Sequence, residues 1–272
     1  MKRGAAAAKI NLALVVGPRR DDGKHELLTV YQRIGLSDRI EIREAGAPAV
    51  AGFPGDTLVR RALAALAQAA GVEPRLAARI EKRIPVAAGL GGGSADAATA
   101  LRLGNELLPE PLPADRLEAI AARLGADVPF FLRDGPHIGA GDGTDLRPVD
   151  LPQDYWIVLV HPDGAVKPST ADVYAAFDAR VGAAGFEDRR EVLVAALRRV
   201  RRPRDLAALP PNDLASSPVA DELRALGAFR ADVTGAGPVA YGLFLHAASA
   251  REAERRLRRR GRTWLTAPAW YV

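Results

Sequence analysis

Apolar positions recur at two different spacings along this chain, and the two spacings predict different elements. Apolar and β-branched residues that run together, or that alternate with polar residues, predict strands. Apolar residues that recur three or four positions apart predict helices, which end where glycine or proline follows. In the first half these patterns predict strands at residues 5–17, 24–36, 39–43 and 75–84, helices at 57–70, 94–108 and 116–124, and a loop at 46–56.

The second half of the chain begins at an expected joint, Leu151-Pro152, which precedes an aromatic and β-branched strand at residues 155–160. We therefore predict two domains, residues 1–150 and residues 151–272. From the joint onward the predicted order of elements is β–α–α–α–β–β–α–β. This order is typical of the α+β class, in which a layer of helices covers an antiparallel sheet.

Composition excludes several classes of protein. The 272 residues are 48% hydrophobic and 26% charged, which is ordinary for a globular protein of one large or two modest domains. No apolar run is long enough to predict a membrane span, and Lys9 and Asn11 interrupt an apolar start that faintly resembles a signal peptide. The absence of cysteine excludes disulfides, thiolate zinc sites and cysteine nucleophiles, and it fits the reducing cytoplasm that we expect. The net charge of +5 comes from an excess of cations that are mostly arginine, so it is weak evidence for nucleic-acid binding.

One stretch concentrates glycine immediately before a predicted helix. Residues 84–98 read IPVAAGLGGGSADAA, with four glycines in five positions and small helix-forming residues after them. Glycine lets the backbone come close to a ligand, and the free N–H groups and dipole of a helix N-terminus attract anions. Ser94 is predicted to cap the helix and to offer its hydroxyl to a phosphate or its metal. We therefore predict a phosphate-binding loop, and a flexible loop before an ordinary helix is the alternative.

Three polar residues stand in apolar surroundings. Lys9 and Asn11 lie two positions apart on a predicted strand, so their side chains share one face. Asp127 lies in an apolar segment just after a helix-ending glycine, where a carboxylate is costly unless it has a partner. The ordinary alternatives are a solvated strand face for the first two residues and a capping carboxylate for the third. The functional alternative is a carboxylate held against the Lys9 ammonium.

Together the motifs resemble those of the GHMP kinases, a family that includes galactokinase, homoserine kinase and mevalonate kinase. AKINL at residues 8–12, the glycine segment, and TGAG at residues 234–237 occur in the order that the family has them. The resemblance implies a two-domain α+β fold, with a ribosomal S5-like N-terminal domain and a ferredoxin-like C-terminal domain. The family pattern P-x-x-x-G-L-G-x-x-S-A/S is met by Pro85, Gly89, Leu90, Gly91, Ser94 and Ala95.

The resemblance also implies how the phosphate donor is held. ATP would be the donor and Mg²⁺ the metal, with the triphosphate in the glycine loop and Ser94 near the metal. Thr57 stands where the family has an asparagine that helps to place adenine. The implied nucleotide-binding residues are Thr57, Lys82, Pro85, Ala87, Gly89, Leu90, Gly91, Gly92, Gly93, Ser94 and Ala95.

On the acceptor side the resemblance implies a catalytic pair, Lys9 and Asp127. Asp127 would orient or deprotonate the attacking hydroxyl, and the Lys9 ammonium would stabilise the negative charge that develops there. The segments GLGGGSADAA, LGADVPFF and STADVY are most similar to members whose acceptor is a cytidine diphosphate-linked polyol of isoprenoid precursor synthesis. The implied substrate-binding residues are Asn11, Lys24, His25, Tyr31, Asp127, Thr170, Tyr174, Gly235 and Gly237.

Cytosine recognition is where this chain departs from those members. The resemblance implies that His25 reads the edge of the base, but Lys24 stands where the family has the tyrosine that stacks on it. Stacking of a base on an aromatic side chain contributes about 1–3 kcal/mol. We expect Tyr31 and Tyr174 to supply part of that stacking.

The resemblance therefore predicts a cytoplasmic enzyme that transfers phosphate from ATP to the 2-hydroxyl of such a polyol. We expect a monomer or weak homodimer with a small-molecule substrate, and no nucleic-acid or membrane partner. Lys24 keeps open the alternative of a GHMP kinase for another small alcohol, of the homoserine or mevalonate type. A basic RNA-binding protein is the second alternative, but aromatic residues make up only 6% of the chain, and it would leave Lys9, Asp127 and the glycine loop without a purpose.

Overall fold

The computed structural model describes residues 1–53, 55–73, 75–165 and 169–269. Within these ranges the strands form two sheets, one of six strands and one of four. The strands are β1 Lys2–Arg19, β2 His25–Glu44, β3 Ala49–Ala51, β4 Leu76–Glu81, β5 His137–Gly141, β6 Asp145–Pro148, β7 Trp156–Pro162, β8 Arg230–Val233, β9 Ala240–Phe244 and β10 Gly261–Thr266. The α-helices are α1 Leu58–Ala70, α2 Gly92–Asn105, α3 Ala114–Leu124, α4 Thr170–Arg180, α5 Phe186–Arg199, α6 Pro218–Ala225 and α7 Ala247–Leu257.

The first sheet is built on a long antiparallel pair, β1 and β2. Its order is β3-β4-β2-β5-β6, and β1 pairs with β2 beside this path. The register places Lys9 opposite Arg33 and Asn11 opposite Tyr31. The prediction of two separate strands at residues 24–36 and 39–43 was wrong, because the single strand β2 runs through both from His25 onward. Asp38, between them, is fully buried, and the residues around it stay paired with β1. The apolar strand β3 lies inside the predicted loop and pairs in parallel with β4.

Helices α1, α2 and α3 share an apolar core with the first sheet. Ile40 and Ile42 of β2 belong to the same buried cluster as Leu66 of α1 and Leu101 of α2. Helix α1 ends at Gly71, whose φ of 67° is left-handed, as the sequence predicted. No helix in the described part of the chain is long and apolar enough to cross a membrane.

The second sheet lies in the second half of the chain and has the order β10-β7-β9-β8, with every pair antiparallel. The predicted order of elements after residue 151, and with it the α+β class, is confirmed. The predicted domain boundary at residues 150 and 151 falls between β6 and β7 and stays a prediction. Ile10 and Leu12 of β1 share a buried cluster with Leu159 of β7 and Tyr241 of β9. This shared core fixes the second sheet against the strand that carries Lys9.

Candidate active site

A cleft of about 610 Å³ opens beside the glycine loop and is lined from both halves of the chain. Most of the predicted site residues meet there. Those that line it are Lys9, Asn11, Tyr31, Lys82, Pro85, Ala87, Gly89, Leu90, Gly91, Gly92, Gly93, Ser94, Asp127, Thr170, Tyr174 and Gly235. Of the other predicted residues, Thr57, Lys24, His25, Ala95 and Gly237 are not among the residues that line it.

The glycine loop begins helix α2 earlier than the sequence suggested. Gly91 is the N-cap, with a left-handed φ of 69°, and the helix starts at Gly92. The prediction that Ser94 caps this helix was therefore wrong, and no side chain makes the cap hydrogen bond. Ser94 lies in the first turn and lines the cleft, so its proposed contact with a phosphate or metal stays a prediction.

Two glycines of this loop are required by close packing as well as by backbone conformation. A Cβ on Gly89, whose φ is 80°, would lie 2.2 Å from the carbonyl oxygen of Thr234. A Cβ on Gly91 would lie 2.8 Å from the ring of Phe131. The loop therefore presses against two other segments, and its backbone lines the cleft at the N-terminus of α2. Free N–H groups in the first helical turn suit a phosphate group.

Lys9 is positioned by contacts of its backbone and of its side-chain ammonium. Its backbone N–H donates to the carbonyl oxygen of Leu90 over 3.0 Å, which joins β1 to the glycine loop. Its Nζ lies 2.6 Å from Oδ1 of Asn11 and 3.6 Å from Oδ2 of Asp127. The Nδ2 group of Asn11 donates to Thr29 over 2.7 Å, which turns the amide oxygen toward Lys9. The structure thus brings together the two residues that the sequence predicted as a catalytic pair.

Tyr31 contacts the same carboxylate from the other side. Its hydroxyl donates to Oδ1 of Asp127 over 3.1 Å, and its ring stacks on Phe130 with centroids 4.9 Å apart. Burial and the neighbouring Asp127 charge raise the pKa of Tyr31 well above its ordinary value, so the phenol keeps its proton. The sequence suggested Tyr31 for cytosine stacking and did not predict this hydrogen bond.

Arg33 was missed by the sequence analysis and supports the segment that carries Asp127. The side chain is 1% exposed and donates to the carbonyl oxygens of Phe130, Phe131 and Arg133. Burial lowers the pKa of Arg33 to about 10. The sequence does contain a signal for this role, an arginine within an apolar strand. A buried guanidinium needs several hydrogen-bond acceptors, so such an arginine indicates a segment packed against it.

Two groups of contacts that sequence could not predict lie next to the cleft, which Tyr174 and Asp142 line although His25 and Lys24 do not. His25 is buried, its Nε2 lies 2.8 Å from Asp178 of α4, and its ring stacks on Tyr174 with centroids 4.7 Å apart. Lys24 donates to Asp142 over 2.5 Å. Although burial acts to raise it, the hydrogen bonds from Lys24 and a neighbouring threonine hold the pKa of Asp142 below its ordinary value. The roles of His25, Lys24 and Tyr174 toward a base stay predictions.

Two of the predicted nucleotide-binding residues, Thr57 and Lys82, lie outside the glycine loop, and of these only Lys82 lines the cleft. Thr57 is exposed and makes no capping bond, whereas the Asp56 carboxylate accepts from the N–H groups of Leu58 and Val59 at the start of α1. Lys82 lines the cleft with its ammonium held between two buried carboxylates.

No group of three or more metal-ligating side chains occurs among the residues that the structure describes. Mg²⁺ usually keeps several waters and is held through substrate phosphates and one or two carboxylates, so a contact of the Ser94 hydroxyl with the metal stays a prediction.

Comparison with known proteins identifies the family to which the chain belongs. The family model for the GHMP kinases N terminal domain matches residues 57–135, and that for the GHMP kinases C terminal matches residues 213–263. The 4-diphosphocytidyl-2-C-methyl-D-erythritol kinase of Geobacter sulfurreducens is 38% identical, and the alignment covers 96% of each chain. The enzyme of that name from Salinispora tropica is 41% identical over 91% of this chain and 84% of its own.

Solved structures give the same result. A crystal structure of 4-(cytidine 5'-diphospho)-2C-methyl-D-erythritol kinase matches with a TM-score of 0.80 and 33% identity, over 98% of this chain and 99% of that chain. Mevalonate kinase from Methanococcus jannaschii matches with a TM-score of 0.77 at 14% identity, which supports the fold alone. The chain belongs to the GHMP kinases, and the two-domain fold implied by the resemblance is confirmed. Within that family its relatives identify it as a small-molecule kinase.

Proposed function

We propose that this chain transfers the γ-phosphate of ATP to the 2-hydroxyl of 4-diphosphocytidyl-2-C-methyl-D-erythritol. The observation that carries the proposal is the approach of Lys9 Nζ to within 3.6 Å of Asp127 in a cleft lined by the glycine loop. The substrate class is taken from the relatives, since several that cover most of this chain have that name.

The proposed chemistry assigns one task to each part of the cleft. Phosphoryl transfer depends mainly on positioning and on compensation of charge. The backbone N–H groups at the start of α2 would hold the triphosphate. Asp127 would orient the acceptor hydroxyl and accept its proton, and the Lys9 ammonium would stabilise the oxygen as negative charge grows on it. Mg²⁺, held by the phosphates with Ser94 nearby, would neutralise phosphate charge when bound.

A panel of acceptors tests the proposal. The purified chain is incubated with ATP, Mg²⁺ and either the cytidine diphosphate-linked polyol, homoserine or mevalonate, and ADP release and the mass of the product are measured. We expect kcat/KM to be highest for the cytidine-containing acceptor. A preference for homoserine or mevalonate would contradict the substrate, while ATP-dependent phosphorylation of any of the three would still identify a kinase.

A kinase for another small alcohol is the second candidate, and one contact favours it. The ammonium of Lys24, bound to Asp142, stands where the family's stacking tyrosine is expected. Tyr174 already stacks on His25, so cytosine binding would require that pair to accommodate the base. The same acceptor panel distinguishes the two candidates.

Three further expectations belong to this proposal. We expect the enzyme to act in the cytoplasm, as a monomer or weak homodimer, without a nucleic-acid partner. The lack of cysteine and the biosynthetic role proposed here support the compartment. Sedimentation at several concentrations measures the oligomeric state, and a filter-binding assay with RNA at low salt tests for a nucleic-acid partner.

A further inference from the structure

Three titratable side chains from separate parts of the fold meet behind the glycine loop. Nζ of Lys82 lies 2.5 Å from Oδ2 of Asp38 and 2.7 Å from Oδ2 of Asp96. Asp38 comes from β2 and Asp96 from α2, and their side chains are 0% and 2% exposed. Burial of ionised groups is costly even when they are paired, so such a cluster needs a reason beyond stability.

The positions of these residues in the chain suggest that reason. Lys82 directly follows β4, and Asp96 lies early in α2, so the contact between their side chains joins the two ends of the glycine loop. Oδ1 of Asp38 accepts from the backbone N–H groups of Arg83 and Ile84, over 2.5 Å and 2.8 Å. The cluster therefore ties both ends of the loop to each other and to the central strand of the sheet.

The protonation of the cluster is compatible with a neighbouring triphosphate. Burial and the Asp38 charge raise the pKa of Asp96 to about 8. Burial by itself would lower the pKa of Lys82, but the carboxyl groups of Asp38 and Asp96 raise this pKa above its ordinary value. A carboxyl group that keeps its proton adds no negative charge beside the phosphates of a nucleotide.

We propose that the Asp38–Lys82–Asp96 cluster positions the glycine loop, by fixing the separation of its two ends so that its N–H groups converge on the phosphates of the nucleotide. In this role Lys82 is a positioning residue, whereas the family resemblance implied only a nucleotide contact. The inference rests on the proposed function, because it assumes that this loop binds ATP.

The two roles of Lys82 predict opposite signs for one substitution. If Lys82 acts by binding phosphate directly, the Asp96 carboxyl competes for its ammonium, and Asp96→Leu should tighten nucleotide binding. If the cluster positions the loop, Asp96→Leu removes the contact between Lys82 and α2 and should weaken nucleotide binding. Asp96→Asn keeps an oxygen that can accept from Lys82 and should preserve binding.

The experiment measures ADP affinity by calorimetry in the presence of Mg²⁺, together with the KM values for ATP and for the acceptor. We expect Asp96→Leu and Lys82→Met each to weaken ADP binding by about tenfold, the equivalent of about one good hydrogen bond to a charged group. We expect the double variant to be little weaker than either single variant, because both cut the same link. The acceptor KM should change less than twofold in all of them.

Two comparisons keep the result interpretable. Arg83→Met removes an exposed cation at the start of the same loop and should leave ADP affinity unchanged. Within the described ranges the Arg83 side chain pairs with exposed Glu81 alone. Should Lys82→Met fail to fold, Asp96→Leu and Asp96→Asn still show whether loss of the Asp96 contact weakens or tightens ADP binding. Unchanged or tighter ADP binding by folded Asp96→Leu overturns the positioning role. Wild-type protein that binds no ADP would instead overturn the proposed function.

Discussion

The hydroxyl of Tyr31 donates to Oδ1 of Asp127 over 3.1 Å, while Nζ of Lys9 faces the other carboxylate oxygen. Each oxygen of the carboxylate thus has its own partner, and both partners come from the paired strands β1 and β2. The segment that follows Asp127 is held by the buried guanidinium of Arg33. These contacts fix the orientation of the carboxylate without help from a substrate, which is the kind of preorganisation that phosphoryl transfer requires.

We expect Asp127→Ala to remove most of the activity. General base catalysis typically contributes about 10²–10⁴-fold, so kcat should fall at least a hundredfold. The glycine loop does not depend on this carboxylate, and the Kd for ADP should stay within about threefold of wild type, because ground-state nucleotide contacts are untouched. Steady-state kinetics and calorimetry measure the two quantities. Near-normal turnover in this variant would falsify the assignment of Asp127.

We expect Tyr31→Phe to lower kcat by about ten- to hundredfold, the effect of losing one hydrogen bond to a charged group. The ring and its stacking on Phe130 are retained, so the KM for ATP should not change. Tyr155→Phe is the matched control, because the Tyr155 hydroxyl is buried and has no hydrogen-bond partner among the described residues. An effect confined to the acceptor KM would show instead that Tyr31 acts as a wall for the substrate.

We expect Gly89→Ala to weaken both folding and nucleotide binding. The added Cβ would lie 2.2 Å from the carbonyl oxygen of Thr234, and the φ of 80° is itself unfavourable for alanine. Together these effects should reduce the free energy of unfolding by about 1–3 kcal/mol. Urea denaturation and ADP calorimetry measure the two effects.

The control for this glycine is Gly71→Ala, which has a similar left-handed φ of 67° and nothing within 4 Å of the new Cβ. Gly71→Ala should reduce the free energy of unfolding only by the backbone strain and should leave ADP affinity unchanged. Equal losses of stability and affinity at the two positions would contradict the packing argument.

We expect the wild-type protein to lose stability between pH 4 and pH 8 in a way that Asp96→Asn does not. Asp96 has a pKa of about 8 in the folded protein and an ordinary value of 3.8. The folded state holds this proton more tightly than the unfolded state does. The stabilising contribution of Asp96 to the free energy of unfolding is therefore complete below pH 4 and is lost as pH rises through 8, at no more than about 1.4 kcal/mol per pH unit. Urea denaturation of both proteins at pH 5, 6, 7 and 8 measures the difference. Parallel stability profiles would contradict a raised pKa at this position.

Local pattern determined a large part of this structure. The order of elements after residue 151 and the shared face of Lys9 and Asn11 could be predicted because the period of apolar residues reports the local backbone. The glycine run likewise predicted a loop with left-handed residues before a helix. The helix start was misplaced at Ser94 because glycines in the first turn are poor helix formers by propensity, and only packing of the loop against its neighbours made them helical.

The contacts that make a site were decided by tertiary structure. Tyr31 and Asp127 are 96 residues apart in the chain, and nothing in the local spacing of either indicates the other. Asp38 seemed to interrupt a strand and instead holds the loop at Arg83, because a buried carboxylate is stable only where the fold supplies donors for it. The sequence by itself thus determined which segments line the cleft. The distances, partners and proton affinities of the site residues came from the packing of β1, β2, α2 and the Asp127 segment, since burial and neighbouring charge exist only after the chain has folded.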